Sequence, residues 1–236
     1  CKKDKIMKNI GIIGFGAFGR LIGKHLQAHF NIKIYDPEFI SLTGNIIHGC
    51  KISTFKDTCE CDIIIISVPF QYFEETVKNM SKFLTEKSIV VDVCSVKTLP
   101  IQIMKKFFDK NITIVGTHPL FGPQSSSNGI AGSKIVVCKV NGKHKKIITF
   151  LRNVLNLEVI EASAEEHDKE MAVTQSLIHW MAKAMTMMEP FDDRMATKSF
   201  IDMKNSFGMV RNDSEQVFET IEKYNPFSKE IRETYL

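Results

Sequence analysis

His118 stands in Thr117-His-Pro-Leu-Phe-Gly-Pro-Gln-Ser-Ser-Ser127, after the apolar run NITIVGT and before a loop of Gly, Pro and Ser. An imidazole at a strand end suits proton transfer, because it titrates near neutrality and open α/β sheets gather their chemistry at strand ends. The plain alternative is a strand-end ring that satisfies a backbone group. A second constellation is Gly14-Phe15-Gly16-Ala17-Phe18-Gly19, a G-x-G-x-x-G that follows an apolar run and opens the amphipathic stretch GRLIGKHL. Here Gly14 permits the tight turn, Gly16 lets backbone N–H groups approach a pyrophosphate, and Gly19 allows close helix–strand packing. The helix N-terminus adds partial positive charge. Asp36 follows Gly19 by seventeen residues. It is placed to bond both hydroxyls of a ribose and to repel a 2′-phosphate, which predicts NAD over NADP. A glycine turn that binds no nucleotide is the competing reading.

Three further groups extend the candidate site. Ser67-Val68-Pro69 ends the run DIIIISVP, as a lining of the dinucleotide crevice or as a plain strand exit. Ser95 lies in DVCSVK, another strand end, where capping a turn is its alternative role. Gln175 and His179 are four residues apart and share a helix face. His179 is read either as a ligand or as core packing beside Trp180, and His167 either as structural or as a substrate contact.

The elements that must position these residues alternate. Apolar runs at 9–14, 32–36, 62–68, 88–94, 112–117 and 133–140 read as strands, and amphipathic stretches at 17–30, 72–84, 99–108 and 145–155 as helices. Strands apolar on consecutive residues are expected to be covered on both faces. The fold class is therefore α/β, a doubly wound, mostly parallel sheet of Rossmann type, followed by a small all-helical domain. Ser163-Ala-Glu-Glu166 reads as a capping box opening an uninterrupted helix to about Glu189. The expected division is residues 1–160 for nucleotide binding and residues 161–236 for substrate binding and dimerisation.

Composition excludes several classes. The 236 residues are 44% hydrophobic and 25% charged with a net charge of +4, and no apolar run approaches the ~20 residues of a membrane span. The densest basic cluster, Lys143–Lys146, reads as a solvated helix start, and no nucleic-acid partner is expected. The six cysteines show no Cys-x-x-Cys pair, so buried thiols in a reducing, cytoplasmic setting are expected and no metal site. The Met-rich MAKAMTMMEP reads as helix-packing surface. Met7 is a plausible start, with the six preceding residues carried over from cloning or from a longer precursor.

Together GFGAFG, DVCSVK, GTHPLFGP and EHDKEMAVTQSLIHW resemble the prephenate/arogenate dehydrogenases of tyrosine biosynthesis, over roughly Lys8 to Met188. The resemblance implies NAD-dependent oxidative decarboxylation of a cyclohexadienyl substrate by a homodimer. It implies His118 as the base that takes the ring hydroxyl proton, Ser95 as its orienting partner, and His179, with Gln175 on the same face, on the substrate. An arginine for a substrate carboxylate is also implied, with Arg211 the first choice and Arg194 the second. Prephenate is favoured over arogenate. An acidic residue near the substrate side chain would suit the ammonium of arogenate instead. The rivals are a β-hydroxyacid or imine reductase on the same sheet and a dinucleotide-sensing module without catalysis.

Overall fold

Short runs of consecutive apolar residues become strands shielded on both sides. The computed structural model describes residues 8–142, 144–211 and 213–235. Cys1, the start at Met7 and Lys143 of the basic cluster lie outside the described residues. The strands are β1 (Asn9–Ile13), β2 (Asn31–Tyr35), β3 (Ile46–Ile47), β4 (Cys50–Ile52), β5 (Ile63–Ile66), β6 (Ile89–Asp92), β7 (Thr113–Pro119), β8 (Lys134–Lys139) and β9 (Glu158–Glu161). They form one sheet in the order β3-β4-β2-β1-β5-β6-β7-β8-β9. In β5 both Ile64 and Ile66 are fully buried and Ile65, pointing to the opposite face, nearly so. Each such side chain contributes about 1.5–3 kcal/mol through burial.

The helices that alternate with these strands are α1 (Ala17–Leu26), α2 (Phe55–Cys59), α3 (Phe73–Met80), α4 (Thr98–Phe107) and α5 (Lys145–Asn153). Pro100 falls in the first turn of α4, where its missing N–H breaks no helical bond. β1 pairs in parallel with β2 on one side and β5 on the other, so the chain winds outward from β1 in both directions and reverses between β1 and β5. That reversal opens the crevice at which doubly wound sheets take ligands.

The observed sheet is larger than the sequence pattern indicates. β3 and β4 form a tight antiparallel hairpin through His48 and Gly49, both at positive φ. Two consecutive positive φ values mark the two-residue turn whose twist matches its strands. β9 adds a strand beyond β8. β7 and β8 pair antiparallel, so the sheet is mostly rather than wholly parallel. β7 also runs two residues further than the apolar run, through His118 and Pro119. Its pairing with β6 stops at Gly116, and from there only β8 is its partner, which leaves a free side that tolerates proline.

The chain divides into two compact units: the described part of Cys1–Cys94 with Pro100–Ser163, and Ser95–Leu99 with Ala164–Leu236. The second unit thus includes five residues that begin within the DVCSVK turn, besides the helical region. Its helices are α6 (Ala164–Met171), α7 (Leu177–Met187), α8 (Lys198–Arg211), α9 (Glu215–Tyr224) and α10 (Ser228–Tyr235). Between α6 and α7 the chain does not continue as α-helix. Ala172–Ser176 winds as a π-helix, so the expected uninterrupted helix carries one wide turn. Ala182, Met185 and Phe207 are buried together, with Met181, Phe191, Phe200, Met203 and Val210 packed on them. Met181 and Met185 of the Met-rich segment are therefore packing residues, whereas Met187 and Met188 are exposed.

Candidate active site

The glycine turn is built as its spacing demands. Gly14 has φ +90, and a Cβ there would lie 2.4 Å from the Ser67 carbonyl oxygen and 3.0 Å from Val68 Cγ1. A Cβ on Gly19 would lie 2.3 Å from the Gly14 carbonyl oxygen, so α1 approaches the turn as closely as only glycine allows. Gly16 differs: a Cβ built there meets nothing within 4 Å. Gly16 is the N-cap of α1 and supplies no side-chain cap, leaving the helix start open. An open, uncapped helix N-terminus beside two glycine-dependent contacts is a fit for a diphosphate. Phe15, Ala17 and Phe18 divide the other tasks. The Phe15 ring is buried core, Ala17 is exposed, and Phe18 meets Phe121 with ring centroids 6.4 Å apart. The last contact joins the glycine turn to the loop that follows His118.

Asp36 follows β2 and caps a 3₁₀ turn at Pro37–Leu42. Its Oδ2 accepts from the Phe15 N–H at 2.7 Å and its Oδ1 from the Glu38 N–H at 3.0 Å. The carboxylate is thereby fixed beside the glycine turn, and each oxygen keeps a further lone pair for a ribose hydroxyl. Ser67 and Val68 border Gly14 through the contacts above, and Pro69 starts the 3₁₀ turn at Phe70–Tyr72.

His118 belongs to the same sheet edge. Ile13, Ile66, Asp92 and Gly116 form one row across β1, β5, β6 and β7, with Gly14 one residue beyond it and His118 two. Three inter-strand spacings separate them, about 14 Å. His118 is buried at 4% exposure and pairs with Val136 of β8. The Thr117 hydroxyl donates to the Asp92 carbonyl at 2.7 Å, and the Cys94 N–H donates to Asp92 Oδ1 at 3.1 Å. The first bond ties the ends of β6 and β7 together, and the second shapes the turn that follows β6.

In the helical unit, Asp168 is fully buried. Its Oδ1 accepts from the Lys97 N–H and from His167 Nδ1, and its Oδ2 from the Thr98 N–H, each at 2.8 Å. Burial pushes its carboxyl up, but the bonds from His167, Thr98 and Lys97 outweigh burial and hold it below the usual carboxylate range. Gln175 and His179 are joined, though not side chain to side chain: His179 Nδ1 bonds the Gln175 carbonyl at 2.9 Å. The other ring nitrogen, Nε2, meets Asp213 Oδ2 at 3.0 Å. Gln175 Oε1 is buried with no hydrogen-bond partner. Arg211 pairs through both guanidinium nitrogens with Glu189, one bond at 2.6 Å. Arg194 pairs with Asp192. Both arginine candidates therefore carry a carboxylate already. Among the described residues no group of His, Cys, Asp and Glu could hold a metal ion, and no helix is long and apolar enough to cross a membrane.

A family model described as the nucleotide-binding domain of prephenate dehydrogenase matches residues 37–162, more than half of the chain. The chain belongs to the prephenate dehydrogenase family. Over 210 residues it is 27% identical to a probable arogenate/prephenate dehydrogenase of Methanocaldococcus jannaschii, covering 84% of this chain and 44% of that protein. Over 236 residues it is 26% identical to the chloroplastic arogenate dehydrogenase 2 of Arabidopsis thaliana, covering 95% of this chain and 66% of that one. The chain thus spans less than two thirds of the length of these relatives. Its fold matches the Aquifex aeolicus prephenate dehydrogenase solved with hydroxyphenyl propionate and NAD+, with a TM-score of 0.75 at 23% identity, over 99% of this chain and 88% of that one.

Two groups in this family member escape a reading by motif. Asp213 sits two residues past Arg211 and meets His179 only through the fold. Asp168 lies in the EHDKEM stretch, but its partners Lys97 and Thr98 are about seventy residues away, and no local spacing announces them.

Proposed function

We propose that this chain carries the catalytic part of an NAD-dependent prephenate dehydrogenase. The observation that supports this most is the placement of His118, buried at the carboxyl edge of the sheet three strands, about 14 Å, from β1, whose end leads into the glycine turn. An extended dinucleotide reaches across that span.

The residues divide the work as follows. Gly14, Gly16 and Gly19 seat the diphosphate, and Asp36 selects the unphosphorylated ribose. When bound, the nicotinamide supplies the hydride acceptor. His118 takes the proton of the ring hydroxyl as the C4 carbon becomes a carbonyl, and Ser95 orients the hydroxyl against the imidazole. The carbonyl is the electron sink for loss of the ring carboxylate as CO₂, and aromatisation drives the step to 4-hydroxyphenylpyruvate. His179 and Arg211 receive substrate carboxylates, for which Arg211 exchanges its bond to Glu189. A homodimer formed through the helical unit belongs to the same reading.

A second reading, arogenate as substrate, is favoured by one specific observation. Asp213 places a carboxylate 3.0 Å from His179 Nε2, the kind of group that suits a side-chain ammonium. Steady-state NADH formation separates the readings, with prephenate and arogenate each tested against NAD and NADP. Turnover of small hydroxyacids with neither cyclohexadienyl acid consumed would overturn both.

A further inference from the structure

Helix α4 starts at Thr98, yet the residue before it is lysine, which has no side-chain oxygen to accept from the first free N–H groups. Other helices of this chain are capped locally: the Thr54 hydroxyl accepts from Asp57 N at α2, and the Ser214 hydroxyl from Val217 N at α9. At α4 the acceptor comes from far along the chain. Both Asp168 oxygens are used, Oδ1 by Lys97 N–H and Oδ2 by Thr98 N–H, at 2.8 Å each. The carboxylate is itself held on two sides. His167 Nδ1 donates to Oδ1, and Asn225 Nδ2 donates to the Asp168 carbonyl at 2.8 Å. Asp168 and Lys97 are fully buried, so the bond between them is shielded from water.

We propose that Asp168 is a positioning residue for Ser95: by gripping two consecutive amides just past it, the carboxylate fixes the direction in which the Ser95 hydroxyl leaves the DVCSVK turn. The inference rests on the reading of Ser95 as the group that orients the reacting hydroxyl. His167 and Asn225 serve the same end one step removed, by holding Asp168. The upstream side of the turn is fixed independently by Asp92, whose Oδ1 accepts from Cys94 N–H. Ser95 thus lies between two carboxylate anchors on neighbouring stretches of backbone.

The test is a double-mutant cycle on the full chain, with Asp168→Asn, Ser95→Ala and the pair. Each single change should lower kcat by at least about tenfold while the NAD dissociation constant, read by quenching of protein fluorescence, stays within about twofold. The pair should lose no more than the worse single change, within about threefold, because the anchor acts through the hydroxyl. Losses that multiply overturn the proposal. Hydrogen exchange supplies a readout that needs no turnover. The amides of Lys97 and Thr98 should exchange at least about tenfold faster in Asp168→Asn, with those of β1 and β5 unchanged. Unchanged exchange at both amides overturns the anchor. A chain that turns over neither cyclohexadienyl acid, but shows the exchange effect, overturns the proposed reaction and leaves the anchor standing. Should Asp168→Asn fail to fold, Thr98→Pro removes the N–H and the hydroxyl of Thr98 at a helix position that accepts proline, and the same non-additivity with Ser95→Ala is expected.

Discussion

Asp36 Oδ2 accepts the Phe15 N–H at 2.7 Å, so the acid that ends β2 is bonded to the middle of the glycine turn that ends β1. The carboxylate proposed to select the cofactor thus also holds the turn. Asp36→Ser removes the charge that repels a 2′-phosphate and should shift the ratio of kcat/KM for NAD over NADP by about tenfold or more, near 1.4 kcal/mol. It should also loosen the turn, raising the KM for both nucleotides. A ratio equal to that of the parent chain would remove Asp36 from cofactor selection.

The glycines separate folding from binding. Gly14→Ala forces a left-handed φ on a side chain whose Cβ meets the Ser67 carbonyl at 2.4 Å, and should cost about 2 kcal/mol or more in a urea melt. Gly16→Ala meets no protein atom within 4 Å and should change stability by less than about 1 kcal/mol. Its Cβ occupies the space assigned to the diphosphate, so NAD affinity should fall sharply. Equal stability losses in the two variants would contradict the distinction.

His118→Asn keeps a similar volume and removes the proposed base. The expected result is a loss of about 10²–10⁴ in kcat with NAD affinity retained. Retained turnover would sink the assignment of the base and revive the β-hydroxyacid or imine reductase or the dinucleotide-sensing module.

A change at Asp213 separates the readings of the two cyclohexadienyl acids. With arogenate as the true substrate, Asp213→Asn should raise the arogenate KM about tenfold, the worth of one charge-assisted bond, and leave that for prephenate nearly unchanged. Equal effects on both acids would reduce Asp213 to a partner of His179.

Asp168 carries a pH signature. Its carboxyl is held below the usual range by His167, Thr98 and Lys97 against the upward push of burial. A depressed folded value contributes stability that is present above the unfolded carboxyl pKa, near ~3.9, and lost as pH falls through the folded value. Urea midpoints measured from pH 7 to 3 should decline below about pH 4, and Asp168→Asn should flatten that part of the decline. An identical slope in the variant would mean that the fold does not lower the Asp168 carboxyl.

What the sequence makes legible is the part whose partners are near in the chain. The glycine turn, Asp36 and the two-sided apolar strands announce themselves by spacing and periodicity. The hairpin of β3 and β4 also has a signal, the His48-Gly49 pair between Ile47 and Cys50, but strands of two and three residues give too short a pattern for alternation to show. The last two residues of β7 escape the pattern because proline normally closes a strand, and only the loss of β6 as a neighbour after Gly116 makes Pro119 acceptable. The acids of the helical unit are hidden for a different reason. Asp168, Asp213 and Glu189 each bond a residue between 22 and 71 positions away, where type and spacing carry no information.

The wide turn at Ala172–Ser176 stores one residue more than regular winding needs. Each residue advances an α-helix by about 100°, so that surplus sets the azimuth of His179 relative to Asp168 on the same continuous rod. Deleting one exposed residue there, such as Val173, would let the bonding return to its common pattern and turn the imidazole by roughly that angle relative to Asp168. The number of residues in this segment thus sets the direction of the His179 ring as much as their identity does, and a homologue with one residue fewer would present that ring differently from the same motif.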